Sequence, residues 1–239
     1  MKSVPSSWRS PIPSASECTL AGRILASLGR GTLALVLFAG VSPLRAQESA
    51  LVEVLAPVLA AEDARAWRPD VLRAALVYPD SLVRRTAAVA VGRIGDARGV
   101  ELLVPLLADP DTTVRVSAVF ALGLIGDTAG VAPIAERLAA PPVLDAASAG
   151  EAVTTLARIG GARAAELVGA ILQGRASLAV ADPAALVPIA ARESWRLGDA
   201  APVAELLPLI RAENEDVRTS AVFALSPTNV LQAQHQHAR

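Results

Sequence analysis

Apolar positions along residues 80–225 follow the 3.6-residue period of an amphipathic helix, and this pattern is repeated along the chain. A period of 31 to 38 residues is typical of helical repeat arrays. The sequence therefore predicts a series of stacked helix pairs. An apolar-Gly triplet that ends in Asp or Gly recurs four times, at Ile94-Gly95-Asp96, Ile125-Gly126-Asp127, Ile159-Gly160-Gly161 and Leu197-Gly198-Asp199.

Each repeated block has the residues that start a helix and let it pack closely. An Asp or Asn before the block can accept hydrogen bonds from the free amides of the first helical turn. These residues are Asp80, Asp111, Asp145 and Asn214, with Asp182 before Pro183 in the fourth block. A small residue then recurs at one helical position, at Ala87, Ala118, Ala152, Ala190 and Ala221. The expected fold is an all-α solenoid of antiparallel helix pairs.

A tight turn and a second helix complete each repeat unit. The glycine of the triplet can take the left-handed conformation that ends the first helix, and the following Asp can cap the second. Residues 47–79 lack the motif but predict a further helical pair, which would cover the first hydrophobic face of the array as an N-terminal cap. The second helices are expected at Val100–Leu107, Val131–Leu138, Ala164–Leu172 and Val203–Ile210.

One segment carries a resemblance to a known family. Val114-Arg115-x-x-Ala118-x-x-Ala121-Leu122-Gly123-x-Ile125-Gly126-Asp127 resembles the consensus of HEAT-like repeats, the short bacterial kind also found in phycobilin lyases. The resemblance covers residues 80–225 and implies about four full repeats and an incomplete fifth. It selects no function, because the family includes scaffolds, assembly factors, bilin lyases and deoxyhypusine hydroxylase. The hydroxylases bind iron through repeated His-Glu pairs, which this sequence lacks.

Residues 1–46 have the pattern of a cleavable export signal. Basic residues beginning with Lys2 precede an apolar run at 31–41, and the small residue Ala46 follows at a suitable distance for cleavage. A run of 11 residues is shorter than the roughly 20 needed to span a bilayer. We therefore expect cleavage after Ala46 and a protein in the periplasm or outside the cell. A transit peptide or a misassigned start codon are the alternatives.

Loss of this leader changes the charge and the chemistry of the chain. The leader holds five of the 22 basic residues and one of the 23 acidic residues, which leaves 17 Arg against 22 Asp and Glu, a net charge of −5. A negative chain is a poor partner for nucleic acid. Cys18, the only cysteine, leaves with the leader, so the mature chain has no disulfides and no thiolate chemistry.

The predicted array contains no recognisable catalytic constellation. The only two histidines, His235 and His237, lie in the polar tail at 226–239, so a Ser-His-Asp arrangement inside the repeats is excluded. Two histidines in a terminal tail also make a weak metal site. We therefore expect no enzyme activity, no cofactor and no bound metal.

Two features are candidates for partner binding. Arg84, Arg115 and Arg218 occupy equivalent positions and could form a ladder that grips the carboxylates of a partner. The favoured alternative is that each arginine pairs with the capping Asp of the neighbouring unit. Trp195 replaces a small residue of the other units and follows an inserted stretch at 174–183. Filling a gap left by that insertion is favoured over anchoring a partner.

The fifth unit begins at Asn214 but does not complete the motif. Ser226-Pro227-Thr228-Asn229 stands where the glycine turn is expected, and the proline stops the helix. An array with an uncovered last face should dimerise through that open end, aggregate or continue into further residues. Two functions stay open: a non-catalytic exported scaffold that binds a protein or peptide, and the accessory repeat region of a longer exported enzyme, such as a peptidyl-prolyl isomerase or protease.

Overall fold

The computed structural model describes residues 50–226 and residue 229. The chain divides into two compact units, Met1–Val52 and Glu53–Arg239. In the first unit the described residues, 50–52, are helical. The predicted leader with Cys18, the start of the predicted cap at 47–49 and most of the predicted tail, with both histidines, lie outside the described residues.

The second unit is an all-α solenoid, which confirms the predicted fold class. Its helices form repeat units: α1 and α2 precede unit one (α3, α4), unit two (α5, α6), unit three (α7, α8), unit four (α9, α10) and the first helix of unit five (α11). The bounds are 53–63 for α1, then Pro69–Leu76, Ser81–Ile94, Gly99–Leu103, Thr112–Ile125, Val131–Ala139, Ala146–Ile159, Ala162–Leu172, Val187–Glu193, Val203–Leu209 and Glu215–Ala224 for α2 to α11. Short 3-10 helices lie at Val104–Ala108, Thr128–Gly130, Pro183–Leu186 and Ser194–Ala200.

The polar residues predicted to start the repeated helices do cap them. Each side chain accepts hydrogen bonds from the amides of the first turn, at Asp80, Asp111, Asp145 and Asn214, and Asp182 does the same for the 3-10 helix that leads into α9. At the other end, α3 and α5 stop at Gly95 and Gly126, which have left-handed φ angles of 75° and 70°. The repeat motif therefore acts as a start and a stop signal for one helix.

The core is built by the first helices of successive units. α3 packs on α5, α5 on α7, α7 on α9 and α9 on α11. The approach is closest at Gly92, where a Cβ atom would lie 2.7 Å from the Cα of Ala121. The small residues at the repeated alanine position are all buried, at Ala87, Ala118, Ala152, Ala190 and Ala221.

Two helices are shorter than the sequence predicts. The helix predicted at Val100–Leu107 ends at Leu103 and continues as a 3-10 helix, because Pro105 has no amide hydrogen for the helical bond. In unit four, α9 ends at Glu193, and the chain continues as a 3-10 helix with non-helical φ and ψ angles at Gly198.

The inserted stretch before α9 is held in place by hydrogen bonds of its main chain. The amide of Ala179 donates to Leu138 O, and Ala179 O accepts from the amide of Leu144, both at 2.7 Å.

Candidate interaction surface

Arg84 links two neighbouring units through hydrogen bonds within the chain. Its Nε and Nη2 donate to the two carboxylate oxygens of Asp109 at 2.8 and 2.9 Å. Its Nη1 donates to the carbonyls of Tyr78 and Pro79, in the turn before α3. Burial of Asp109 opposes its ionisation, but the hydrogen bonds from Arg84 and from the Asp111 amide outweigh burial and lower the pKa of Asp109. The Arg84 side chain is 13% exposed, and its Nε, Nη1 and Nη2 all donate within the chain.

Arg115 makes the equivalent contacts one unit further along. Its Nη1 donates to the carbonyls of Asp109 and Pro110, while its Nε and Nη2 donate to the carboxylate of Asp145. Burial would raise the pKa of Asp145, but the Arg115 ion pair and two bonds from Ser148 lower it to about 2. Asp145 caps α7 of the next unit, as the favoured alternative proposed. Arg84 differs, because its partner lies two residues before the capping Asp111.

Arg218 makes the main-chain hydrogen bonds of this arrangement but not the ion pair. Its Nη1 donates to the carbonyls of Ala212 and Glu213, in the turn before α11, at 2.8 and 2.6 Å. Among residues 50–226, no carboxylate forms an ion pair with Arg218. The three arginines therefore do not form one ladder facing a partner, because two of them pair with the following unit and only the last has that side open within the described chain.

A cluster of charged side chains between units three and four was not identified from the sequence. Arg158 on α7 lies 3.7 Å from the carboxylate of Glu151, and its guanidinium lies 5.3 Å from the centre of the Phe120 ring. Glu193 at the end of α9 is buried and receives a hydrogen bond from Arg196 at 2.7 Å. Burial raises the pKa of Glu151, and the charge of Arg158 only partly offsets this effect.

The sequence does contain a signal for this cluster. By the spacing of the repeat triplets, Glu193 stands where unit one has Ala90, which is fully buried. A carboxylate at a buried position of a repeat needs a charged partner in the adjoining helices. The cluster can pair units electrostatically, but the described residues include no group of three or more side chains able to hold a metal ion.

Trp195 lies on the 3-10 helix that follows α9 and is half-buried. The guanidinium of Arg196 lies over the indole, 4.6 Å from the ring centre. Its neighbours Ser194 and Leu197 point into the core, where both are buried. The ring thus fills part of the irregular region while one side stays accessible, so the structure leaves both predicted roles of Trp195 open.

The last two helices, α10 and α11, which we call the last helix pair, expose apolar side chains. The other described units largely cover such side chains. Val203, Leu207 and Ile210 are spaced to lie on one side of α10 and its end, and all three are exposed. Val222 and Phe223 are exposed on α11, which packs on α10. A groove of about 470 Å³ lies between α9 and α11, lined by Pro188, Ile189, Arg192, Asp216, Thr219 and Phe223.

A larger open groove of about 800 Å³ lies between the second helices α6 and α8. Four alanines line it, at Ala135, Ala139, Ala162 and Ala170. The charged residues at this groove are of both signs, with Glu136, Arg163 and Glu166. It offers room for a chain segment without a marked charge preference.

The sequence model of the family described as HEAT repeats matches residues 46–118 and again residues 69–153. Residues 46–153 contain HEAT repeats. This confirms the resemblance predicted from the segment 114–127, and the matched region also includes the helical pair at 47–79, which lacks the motif. No curated protein sequence matches the chain.

Two solved structures show a likeness to the chain. An engineered protein has 26% sequence identity and a TM-score of 0.45, with 69% of this chain and 79% of that chain covered. The complex of CpcE and CpcF of phycocyanin lyase from Nostoc sp. PCC7120 has 19% identity and a TM-score of 0.43, with 94% of this chain and 80% of that chain covered. Within the described part of this chain, no helix has the length and apolar character needed to cross a membrane.

Proposed function

We propose that this HEAT-repeat protein is a non-catalytic scaffold, exported and cleaved after Ala46, that binds a protein or peptide through its repeat surface. The observation that carries the proposal is the gathering of exposed apolar side chains on the last helix pair. Of the eleven large hydrophobic residues exposed in the described chain, five lie between residues 203 and 223. Apolar side chains collected at one exposed place favour a protein interface.

The contacts of the three arginines also favour the last helix pair as the binding surface. Arg84 and Arg115 are committed to Asp109 and Asp145, so the middle of the array offers few unused donors on that face. At the last unit, Arg218 adds a cation beside the exposed apolar residues. An apolar patch with a charged edge is the composition expected of a protein interface.

Site-specific photo-crosslinking tests this function. A photoreactive amino acid at Leu207 on α10 should capture a protein partner in the compartment that receives the exported chain. The matched control is the same amino acid at Glu101, an exposed residue of α4. Equal capture at both positions, or none at Leu207, would remove the support for a binding surface at the last helix pair. The intact mass of the exported protein tests cleavage after Ala46.

A second candidate is the accessory repeat region of a longer exported enzyme, such as a peptidyl-prolyl isomerase or protease. The uncovered side of α11 favours it, because a further repeat would cover Val222 and pair with Arg218. Sequencing the natural locus across the codon for Arg239 distinguishes the two. A reading frame that continues favours the accessory region, and one that stops favours the scaffold.

A further inference from the structure

The hexapeptide Ser-Ala-Val-Phe-Ala-Leu occurs twice, at residues 117–122 in α5 and at residues 220–225 in and directly after α11. The two alanines of the hexapeptide are buried in both copies, at Ala118 and Ala121 and at Ala221 and Ala224. The positions that face the following unit differ, because Val119 is 4% exposed and its equivalent Val222 is 57% exposed. Since the two sequences are identical, the difference comes from what covers them.

The covering element of the first copy is α7, the first helix of unit three. It brings an aspartate at its start, a hydroxyl in its middle and an arginine near its end. The three contacts are the Asp145–Arg115 ion pair, the bond from the Thr155 hydroxyl to Val119 O at 3.2 Å, and the Arg158 guanidinium 5.3 Å from the Phe120 ring centre. Together they cover the outer side of α5 with a combination of apolar and charged groups.

The second copy presents the same receiving groups. Arg218 is bound to the turn carbonyls through Nη1, as Arg115 is, and among the described residues its Nε and Nη2 have no carboxylate partner. Val222 and Phe223 lie beside it on the exposed side of α11. We call these three residues the α11 docking face.

We propose that the α11 docking face binds a helix of a separate protein that begins with an aspartate and carries an arginine 13 residues further on, as Asp145 and Arg158 do in α7. The aspartate pairs with Arg218, the arginine stacks on Phe223, and small or aliphatic residues between them cover Val222. This inference rests on the proposed scaffold function and gives that function a partner chemistry.

A second copy of this chain is a poor source of such a helix. Its α7 has the right residues, but α5 already occupies the matching face. Its α3 has Asp80 and Arg93 at the same spacing, but Arg93 is paired with Glu62 at 2.6 Å and α3 packs on α2. Binding through either helix would require a copy to break its own core, so the partner is a different polypeptide.

Thiol labelling measures whether the face is open and what closes it. Replacing Cys18 by Ser leaves a chain without thiols, into which Val222→Cys places a single probe and Val119→Cys a matched buried control. In the free protein, maleimide should label the cysteine at 222 rapidly and the cysteine at 119 slowly. If the cysteine at 222 is as slow as the one at 119 at every concentration, the chain itself covers the face and the proposal fails. Slow labelling only at high protein concentration shows a second copy on the face and also overturns it.

The partner chemistry is tested with a probe taken from the chain. Residues 143–173, which contain α7 and α8, are joined to the C-terminus of the full chain through a flexible Gly/Ser linker. The linker raises their effective concentration to about the millimolar range, so docking should slow labelling at position 222 by about tenfold or more. Circular dichroism should show added helix at the same time.

Matched variants identify the recognised groups. In the appended segment alone, Asp145→Asn or Arg158→Gln should restore most of the labelling rate, and so should Arg218→Gln in the array. An unchanged labelling rate in the fusion, or slow labelling that ignores all three variants, contradicts the proposal. Crosslinking at Leu207 reports on the scaffold function independently, because that residue lies on α10 outside the α11 docking face.

Discussion

Val119→Ala and Val222→Ala are the same substitution in the same hexapeptide, and they should have different consequences. Each removes two methyl groups from a helix of the array. Val119 lies against α7, whereas Val222 is more than half exposed. The comparison thus measures the contribution of a covering repeat to the stability of the one before it.

The expected magnitude follows from burial. Two buried methyl groups are worth about 1.6 kcal/mol by transfer, and the cavity left between α5 and α7 brings the loss for Val119→Ala to about 2–3 kcal/mol. At position 222 less than half of that surface is removed from water, so the loss should stay below about 0.7 kcal/mol. Alanine favours the helix by about 0.5 kcal/mol at both sites, and this gain cancels in the difference. The two variants should differ by about 2 kcal/mol.

Thermal unfolding followed by far-UV circular dichroism provides the assay. For a domain of this size, a difference of about 2 kcal/mol corresponds to a Tm difference of about 4–8 °C. Equal and large Tm losses would refute the reasoning, because they would show that Val222 is covered in the free protein. Equal and small losses would show that α7 does not stabilise α5 through Val119.

Three further substitutions test other contacts. Gly92→Ala should lower Tm strongly in calorimetry, because the new Cβ would lie 2.7 Å from the backbone Cα of Ala121; an unchanged Tm would contradict the close approach. Asp145→Asn keeps the helix cap but loses the Arg115 ion pair. The folded pKa of Asp145 is lowered from 3.8 to about 2, so its contribution is present above pH 4 and lost as the pH falls to 2. Urea titrations should therefore show a deficit of about 2 kcal/mol at pH 6 that disappears near pH 2. Burial raises the pKa of Glu151, so its ionisation opposes folding, and Glu151→Gln should stabilise the protein at pH 7 but not at pH 4; the reverse order would contradict this.

The features of the fold that depend on residues close together in the sequence were predictable. Asp111 caps α5 and Gly126 ends it, and both act within a few residues of their own position. The shortened second helix of unit one also had a local signal in Pro105, whose missing amide hydrogen interrupts the helical bonds.

The parts that depend on how units stack were not predictable in the same way. Asp109 and Asp111 are two residues apart, and only the stacking of α3 on α5 determines that Arg84 pairs with the first of them. Glu151 and Arg158 meet on one helix, but the groups around them come from other units, because Arg158 lies over Phe120 of α5 and the charge of Glu193 at the end of α9 acts on Glu151. Likewise, the contrast between Val119 and Val222 cannot be read from two identical hexapeptides.

The two main-chain hydrogen bonds of Ala179 affect how the array unfolds. In a simple repeat protein each unit contacts only its neighbours, so unfolding can begin in any unit and spread. Ala179, in the segment leading into unit four, bonds to Leu138 of unit two and to Leu144 at the start of unit three. Three successive units are therefore tied by backbone alone. Amide hydrogens of α6 to α9 should exchange as one cooperative block, while exchange by fraying is confined to the two ends.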